Sequence, residues 1–152
     1  MSTRSRIAVE TSSQRVVSIY CHSDGYIQGV GVTLKKHYNS QEKALELIKK
    51  GDISILNNTI ETTKYYKDRG DEWHNIEPQW HKNHFGLMSA LKGNVFIEYV
   101  YLFADGEWQV SALKEHKAET DSYFDYNAYH SKFIPLQSHF KDNKIRSYYG
   151  EE

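Results

Sequence analysis

The chain has 152 residues, of which 39% are hydrophobic, 26% charged and 14% aromatic. This length is typical of one domain, and the aromatic content with a net charge of −1 excludes a disordered polar chain. The balance of 19 basic and 20 acidic residues excludes a protein-wide basic field for nucleic acid or anionic lipid. A single cysteine excludes a disulfide framework and any metal site that needs several cysteines.

The start of the sequence has no pattern typical of a targeting or membrane segment. Residues 1–6 are polar, and the longest apolar stretch, residues 95–104, is interrupted by Glu98. A bilayer-spanning helix needs about 20 consecutive apolar residues, so we expect no membrane association. The lone thiol favours a reducing, cytoplasmic compartment.

The first half of the chain predicts a hairpin followed by helices. Residues 7–9 and Val16–Cys21 are short β-prone runs separated by turn residues, which is typical of a β-hairpin. A short helix is expected at about residues 30–38. The strongest helical pattern covers residues 41–50, where apolar side chains recur at helical spacing. One more helical turn is expected at residues 53–56.

The second half contains the clearest β signal. Residues 95–103 and 107–112 are apolar strands, and the Asp105-Gly106 pair between them favours a two-residue type I′ turn. Weaker patterns predict a β-prone segment at residues 59–66 and a short helix at residues 85–91. Near the end of the chain they predict a helical turn at residues 135–140 and a frayed tail at residues 147–152.

These elements predict one α+β domain over residues 1–152. We expect an antiparallel sheet of four to five strands, with two to three short helices in a single layer on it. The strand at residues 95–103 is apolar on both of its faces, which indicates a central position with cover on each side.

The segment around His22 is the first candidate for a site. Cys21, His22 and Asp24 end a strand and enter a glycine-containing turn, so they can present a ligand site at a sheet edge. The alternative is ordinary turn chemistry, with the cysteine as a core residue. A Cys–His nucleophile would require contact between Cys21 and His22, which neighbouring strand residues do not make.

The glycines and histidines leave further alternatives open. Gly25, Gly29 and Gly31 precede a helix and can cradle phosphate, or they can simply allow a tight chain reversal. The histidines at 74, 81 and 84 can bind a metal with a nearby carboxylate, or they can be surface and hydrogen-bonded side chains. Arg69, flanked by acids and aromatics, can recognise an anion or form a structural ion pair.

Several motifs carry a resemblance to a known family: Ser18-Ile19-Tyr20-Cys21-His22-Ser23-Asp24-Gly25-Tyr26, Gly29-Val30-Gly31, Gly51-Asp52-Ile53-Ser54 and Asp68-Arg69-Gly70-Asp71-Glu72-Trp73. The chain resembles a family of small uncharacterised tailed-bacteriophage proteins, the gene product 30.3 type of T-even phages. The resemblance covers about residues 3–112, and Ser23 stands where the family usually has Trp. It implies a non-virion phage protein in the infected host's cytoplasm and carries over no catalytic residue.

The leading hypothesis is a non-catalytic interaction protein that modulates a host or phage partner, because twelve tyrosines favour a protein interface. The alternative is a small-ligand protein that binds a nucleotide-like anion and acts against host defence. The third hypothesis is a hydrolase that uses His22 with Asp24. We predict no catalytic residue, no metal and no cofactor, and a homo-oligomer is possible. The candidate ligand-binding residues are Arg4, His22, Asp24, Tyr26 and Arg69.

Overall fold

The computed structural model of the protein describes residues 2–113 and 132–140. The strands in these ranges are β1 (Arg4–Glu10), β2 (Val16–Cys21), β3 (Ile53–Ile55), β4 (Lys64–Tyr65), β5 (Gln79–His81), β6 (Ile97–Ala104), β7 (Glu107–Ala112) and β8 (Ile134–Pro135). The α-helices are α1 (Val32–His37), α2 (Gln41–Ile48), α3 (Trp73–Ile76) and α4 (His84–Leu91). Shorter turns are a π-helical turn (Ile27–Gly31) and two 3₁₀ turns (Tyr66–Arg69 and Leu136–His139). No helix in the described ranges is long and apolar enough to span a membrane.

The eight strands form one mixed sheet in the order β4-β3-β2-β1-β6-β7-β8, and β5 pairs with the first half of β2. The predicted α+β class is confirmed. The antiparallel arrangement of four to five strands is wrong, because β1 pairs in parallel with β6 and β2 pairs in parallel with β3. Parallel pairing joins strands that are distant in sequence, so no local turn pattern indicates it.

The strands missing from the sequence prediction are short. β3, β4, β5 and β8 have two or three residues each, too few for an alternating pattern to be recognised. Residues 53–56 therefore contain β3 and not the expected helical turn. Of the β-prone segment at residues 59–66, only Lys64–Tyr65 pairs as a strand. The threonines before it bond among themselves, with Thr59 Oγ1 2.7 Å from Thr62 Oγ1.

Both faces of the sheet are covered. Ile7, Ile19 and Tyr101 lie on the first face, where side chains of α1 and α2 complete the main core. Ala8 and Val100 lie on the second face in a separate apolar cluster. That cluster is completed by α4, through Leu87, Met88 and Leu91. The predicted single layer of helices is therefore wrong, as is the number of two to three, since four α-helices are present in the described residues.

Helix α2, which has the strongest helical pattern in the sequence, begins at a capping serine and is followed by a glycine. Ser40 Oγ accepts a hydrogen bond of 3.1 Å from the backbone N–H of Lys43, which caps the start of α2. Gly51, with a φ of 90°, follows the end of the helix in a left-handed conformation. The predicted helix at residues 41–50 is thus confirmed, with its last regular residue at Ile48.

The β6–β7 hairpin is also confirmed. Asp105 and Gly106 both have positive φ values, 55° and 79°, as a type I′ turn requires. The pairing of β1 with β6 shifts register between Arg4 and Ser5, whose partners are Ile97 and Tyr99. This irregularity places Ile97 in the second-face cluster, whereas simple alternation along the strand predicts the first face.

The short helix predicted at residues 85–91 corresponds to α4, and the terminal turn at residues 135–140 corresponds to Leu136–His139. The short helix at residues 30–38 corresponds to the end of the π-helical turn and α1. The predicted frayed tail and the five tyrosines after Tyr101 lie outside the described residues. A single domain over residues 1–152 stays a prediction.

Candidate functional site

The residues after β2 do not form a nucleophilic pair. Cys21 is fully buried in the first-face core, and this burial raises the pKa of its thiol to about 12. His22 follows it on the opposite side of the strand, where Nδ1 lies 2.7 Å from the hydroxyl of Tyr20. The thiol is therefore protonated at neutral pH and inaccessible, as a core cysteine would be.

The turn after His22 is held by short-range contacts. The Tyr26 hydroxyl donates to Asp24 Oδ1 at 3.1 Å, and Asp24 has a left-handed φ of 56°. A Cβ on Gly25 would come within 2.8 Å of the carbonyl oxygen of Thr3. A Cβ on Gly29 would clash with the carbonyl oxygen of Asp24. These two glycines therefore allow close chain approach, which is the structural alternative considered for them.

Two of the five predicted ligand-binding residues, Arg4 and His22, both hydrogen-bond to the side chain of Tyr20. Asp24 and Tyr26 are hydrogen-bonded to each other through their side chains. The guanidinium of Arg4 lies 5.4 Å from the ring centroid of Phe96. Arg69 lies over the ring of Tyr66 and forms an exposed ion pair of 3.3 Å with Asp71. The structural alternative for Arg69 is thus the one observed.

The three histidines of the proposed metal site face different neighbours. The His74 ring lies 3.5 Å from a carboxylate oxygen of Glu72 at the surface, and the ring of His84 packs against Phe85. His81 Nε2 lies 3.0 Å from Ser18 Oγ. Among the residues that the structure describes, no three His, Cys, Asp or Glu side chains converge as metal ligands.

His81 belongs to a polar network on the second face that the sequence prediction missed, here called the Arg6 network (Arg6, Ser18, Asp52 and His81). Arg6 Nε donates to Ser18 Oγ at 3.1 Å, and Arg6 Nη2 donates to the Ser18 carbonyl at 3.3 Å. Asp52 Oδ1 accepts from the backbone N–H of Tyr20 at 2.9 Å. Ser18 is 0% exposed, so this serine–histidine contact fixes strands and offers no accessible nucleophile.

Burial governs the protonation of this network. It raises the pKa of Asp52, an effect that the backbone N–H of Tyr20 and the positive charge of Arg6 oppose. It lowers the pKa of His81, and the charge of Arg6 lowers it further. Since Arg6 already donates to Ser18 Oγ, the serine hydroxyl can donate its own proton to a neutral His81.

A different type of surface lies beside α2 at the edge of the first face. It is an apolar groove of about 560 Å³ with two half-exposed tryptophans, Trp73 (44% exposed) and Trp80 (53%). We call it the tryptophan groove; its lining residues are Val17, Leu45, Glu46, Ile48, Lys49, Trp73, Glu77, Pro78 and Trp80.

The sheet and α3 position the two tryptophans. Trp80 lies in β5 directly opposite Val17 of β2, so its ring stands on the first face beside the core. Trp73 begins α3, and the end of α3 is tied to the chain after α2 by a 2.8 Å bond from Asp52 N–H to the Ile76 carbonyl. The groove is therefore bounded by regular backbone on both sides.

Each tryptophan ring has a cation beside it. The guanidinium of Arg15 lies 4.8 Å from the ring centroid of Trp80, and the ammonium of Lys67 lies 5.2 Å from that of Trp73. Cations at these distances are attracted to the negative face of the ring. Within the described ranges, neither Arg15 nor Lys67 has a carboxylate at ion-pair distance.

The comparisons with protein-family models, curated proteins and solved structures find no match for this chain. Its function therefore has to be argued from its own surfaces. The sequence contained one sign of the tryptophan groove: Trp73 and Trp80 lie in a stretch with Pro78 and no clear period, where a buried element is not expected.

Proposed function

We propose that the chain is a phage-encoded accessory protein of the infected host's cytoplasm, and that it binds a host or phage protein without catalysing a reaction. The phage origin rests on the sequence resemblance. The observation that supports the binding function is the pair of half-exposed tryptophans that line an apolar groove. Exposed apolar patches of this kind are typical of interaction sites.

The binding energy would come from the two indole rings. A tryptophan buries about 150–250 Å² when it is covered, and it is among the residues most often found to dominate interface energetics. Trp73 and Trp80 stand on a helix and a strand, so covering them requires little reorganisation of the backbone.

The charges beside the groove favour one type of partner segment. Arg15 and Lys67 lie over the tryptophan rings without a carboxylate partner in the described residues. A partner that inserts an apolar side chain between the rings and carries Asp or Glu on both sides of it would pair with these cations. We therefore propose an acidic, apolar-centred protein segment as the occupant.

The test is affinity purification from infected host cells, followed by calorimetry with the purified partner. The full chain, Trp80→Ala and Trp73→Ala are compared with Phe96→Ala, because Phe96 is an exposed aromatic residue outside the groove. We expect each groove variant to weaken the affinity by about 30-fold, as for a dominant interface residue. Phe96→Ala should retain wild-type affinity.

A second set of measurements addresses the chemistry of the partner. Arg15→Gln should weaken binding and reduce its dependence on salt, because the interaction with partner carboxylates is lost. Sedimentation of the protein alone tests a second copy as occupant. A dimer that dissociates on Trp80→Ala, or a partner bound equally by both groove variants and by Phe96→Ala, would overturn the proposal.

A further inference from the structure

A second cavity, which shares no lining residue with the tryptophan groove, lies between α1 and the chain segment after β3. It has a volume of about 650 Å³, within the usual range for small-molecule sites. We call it the α1 cavity; its lining residues are Asp24, Gln28, Gly29, Val30, Val32, Thr33, Lys36, His37, Ile55, Leu56, Asn57, Asn58, Thr59 and Thr62.

Apart from Asp24, which is hydrogen-bonded to Tyr26, the polar side chains around this cavity fall into two groups. Asn57, Thr59 and Thr62 are engaged in the turn before β4, where Asn57 Nδ2 donates to the Thr62 carbonyl at 2.6 Å. The second group has no hydrogen-bond or ion-pair partner in the part of the chain that the structure describes. Its members are Gln28, Thr33, Lys36, His37 and Asn58.

Helical spacing explains why part of the second group converges. Thr33, Lys36 and His37 are three and four residues apart, so they share one side of α1. Gln28 lies in the π-helical turn just before this helix, and Asn58 lies across the cavity on the other wall. Donors and acceptors from two separate segments therefore face one space.

The backbone at the rim of the cavity is unusual. The π-helical turn Ile27–Gly31 contributes three lining residues, and such turns are rare and often found at functional sites. Asp24 has a left-handed φ of 56°, a conformation that costs energy for a residue other than glycine. Strained backbone next to a polar cavity is a second indication of a binding site, independent of the side chains.

The rim is also anchored to the centre of the sheet. The hydroxyl of Tyr101, in β6, donates to the Gly25 carbonyl at 2.6 Å. The backbone N–H of Val30 donates to the Asp24 carbonyl at 2.9 Å. The backbone of the turn at Asp24 and Gly25 is thus held at the cavity rim by the fold, before any ligand enters.

The chemistry of the lining points to one class of ligand. Lys36 and His37 can neutralise and hydrogen-bond a phosphate group. Gln28 and Asn58 can bond to ring hydroxyls, and Ile55 with Leu56 can contact the face of a ring. We propose that the α1 cavity binds a ribose phosphate, either free or as part of a nucleotide.

The test is calorimetry of the full chain with ribose 5-phosphate, adenosine monophosphate, adenosine and inorganic phosphate. We expect both phosphate esters to bind about tenfold or more tightly than adenosine or inorganic phosphate, because only the esters engage both ends of the cavity. Tighter binding of the nucleotide than of ribose 5-phosphate would support a nucleotide source, and equal binding would support the free sugar phosphate. Absence of binding by both esters, or equal binding of inorganic phosphate, would overturn the proposal.

The matched variants are neighbouring lysines on α1. Lys36 lines the cavity and Lys35 does not. Lys36→Gln should weaken ester binding by about tenfold, the loss expected for one charged hydrogen bond, while Lys35→Gln retains it. Equal effects of the two variants would contradict the site. Thermal unfolding of each variant checks the fold, and Trp80→Ala should bind the esters normally, which separates this proposal from the protein-binding groove.

Discussion

The Arg6 network and the tryptophan groove use β2 in opposite ways. On the second face, Ser18 is enclosed by Arg6 and His81, and these polar groups find their partners inside the protein. On the first face, the neighbouring residue Val17 lies at the floor of a groove whose tryptophans remain half exposed. Adjacent residues of one strand thus lie in an enclosed polar network on one side of the sheet and in an open apolar groove on the other.

This contrast shows why residue type alone is a poor guide to function. A serine, a histidine and an arginine in contact suggest chemistry, yet burial removes Ser18 from any substrate. Tryptophans suggest a core, yet about half of the surface of Trp73 and of Trp80 is exposed. Accessibility therefore decides which of the two regions can bind another molecule.

The largest difference in the free energy of unfolding should separate variants of two tryptophans, Trp108 and Trp80. Trp108 is 1% exposed, donates from Nε1 to the Tyr38 carbonyl at 3.0 Å, and packs against Phe103. We expect Trp108→Ala to lower the free energy of unfolding by about 3–5 kcal/mol, as for other buried aromatic residues. Trp80→Ala should lower it by less than about 1 kcal/mol, because about half of its surface is already exposed. Urea unfolding measures both, and a similar loss for the two variants would remove the distinction between core and groove.

A smaller difference in the free energy of unfolding should separate variants of two arginines, Arg6 and Arg15. Arg6→Met removes two hydrogen bonds to Ser18, and we expect a loss of about 2 kcal/mol, the range for bonds from a charged donor. Arg15→Met changes a cation at the groove and should alter stability by less than about 0.5 kcal/mol. Chemical denaturation of the two variants provides the comparison. If Arg15→Met proves the more destabilising, the assignment of structural and surface roles is reversed.

The smallest effect should appear in the dependence of stability on pH. Burial and Arg6 lower the pKa of His81 below its ordinary value of 6.5, so the unfolded chain binds this proton more readily than the folded chain. The contribution of His81 to the free energy of unfolding should therefore decrease as the pH falls below about 6.5. The raised pKa of Asp52 acts in the opposite direction, since its protonation favours the folded state.

A pair of variants isolates the histidine. Unfolding is measured between pH 5 and pH 8, the interval in which histidine titrates, for the wild type, His81→Gln and His74→Gln. His74 is exposed beside Glu72 and serves as the control. His81→Gln should flatten the acid side of the profile, and His74→Gln should leave it unchanged. An unchanged profile for His81→Gln would show that this ring does not govern the acid loss of stability.

The elements that could be predicted from the sequence are those with local patterns. α2 has helical spacing and a capping serine, and the β6–β7 hairpin has an Asp-Gly turn between two long apolar strands. The short strands and the parallel pairs had no such pattern. Their positions depend on contacts between distant segments, as in the pairing of Cys21 with Ile53.

The residues of the candidate sites were likewise predicted only where a local pattern in the sequence indicated them. Asp24 was predicted as a ligand-binding residue because its turn is visible in the sequence; the structure places it in the lining of the α1 cavity, and its binding role stays a prediction. Lys36, His37 and Asn58 were not predicted, because they belong to two walls that meet only in the fold. The Arg6 network was missed for the same reason, since Ser18 and His81 are 63 positions apart.

The parallel pairing of β1 with β6 has a consequence for how the chain reaches its native state. Ile7, near the start of the chain, pairs with Tyr101, and no shorter-range contact can replace this pairing at the centre of the sheet. Contacts over such sequence separations slow folding, because a large loop must close first. During synthesis, the β1 edge of the β1–β2 hairpin therefore stays unpaired until β6 has been made. An unpaired strand edge of this kind can pair with another chain, so we expect the protein to be most prone to self-association over that interval.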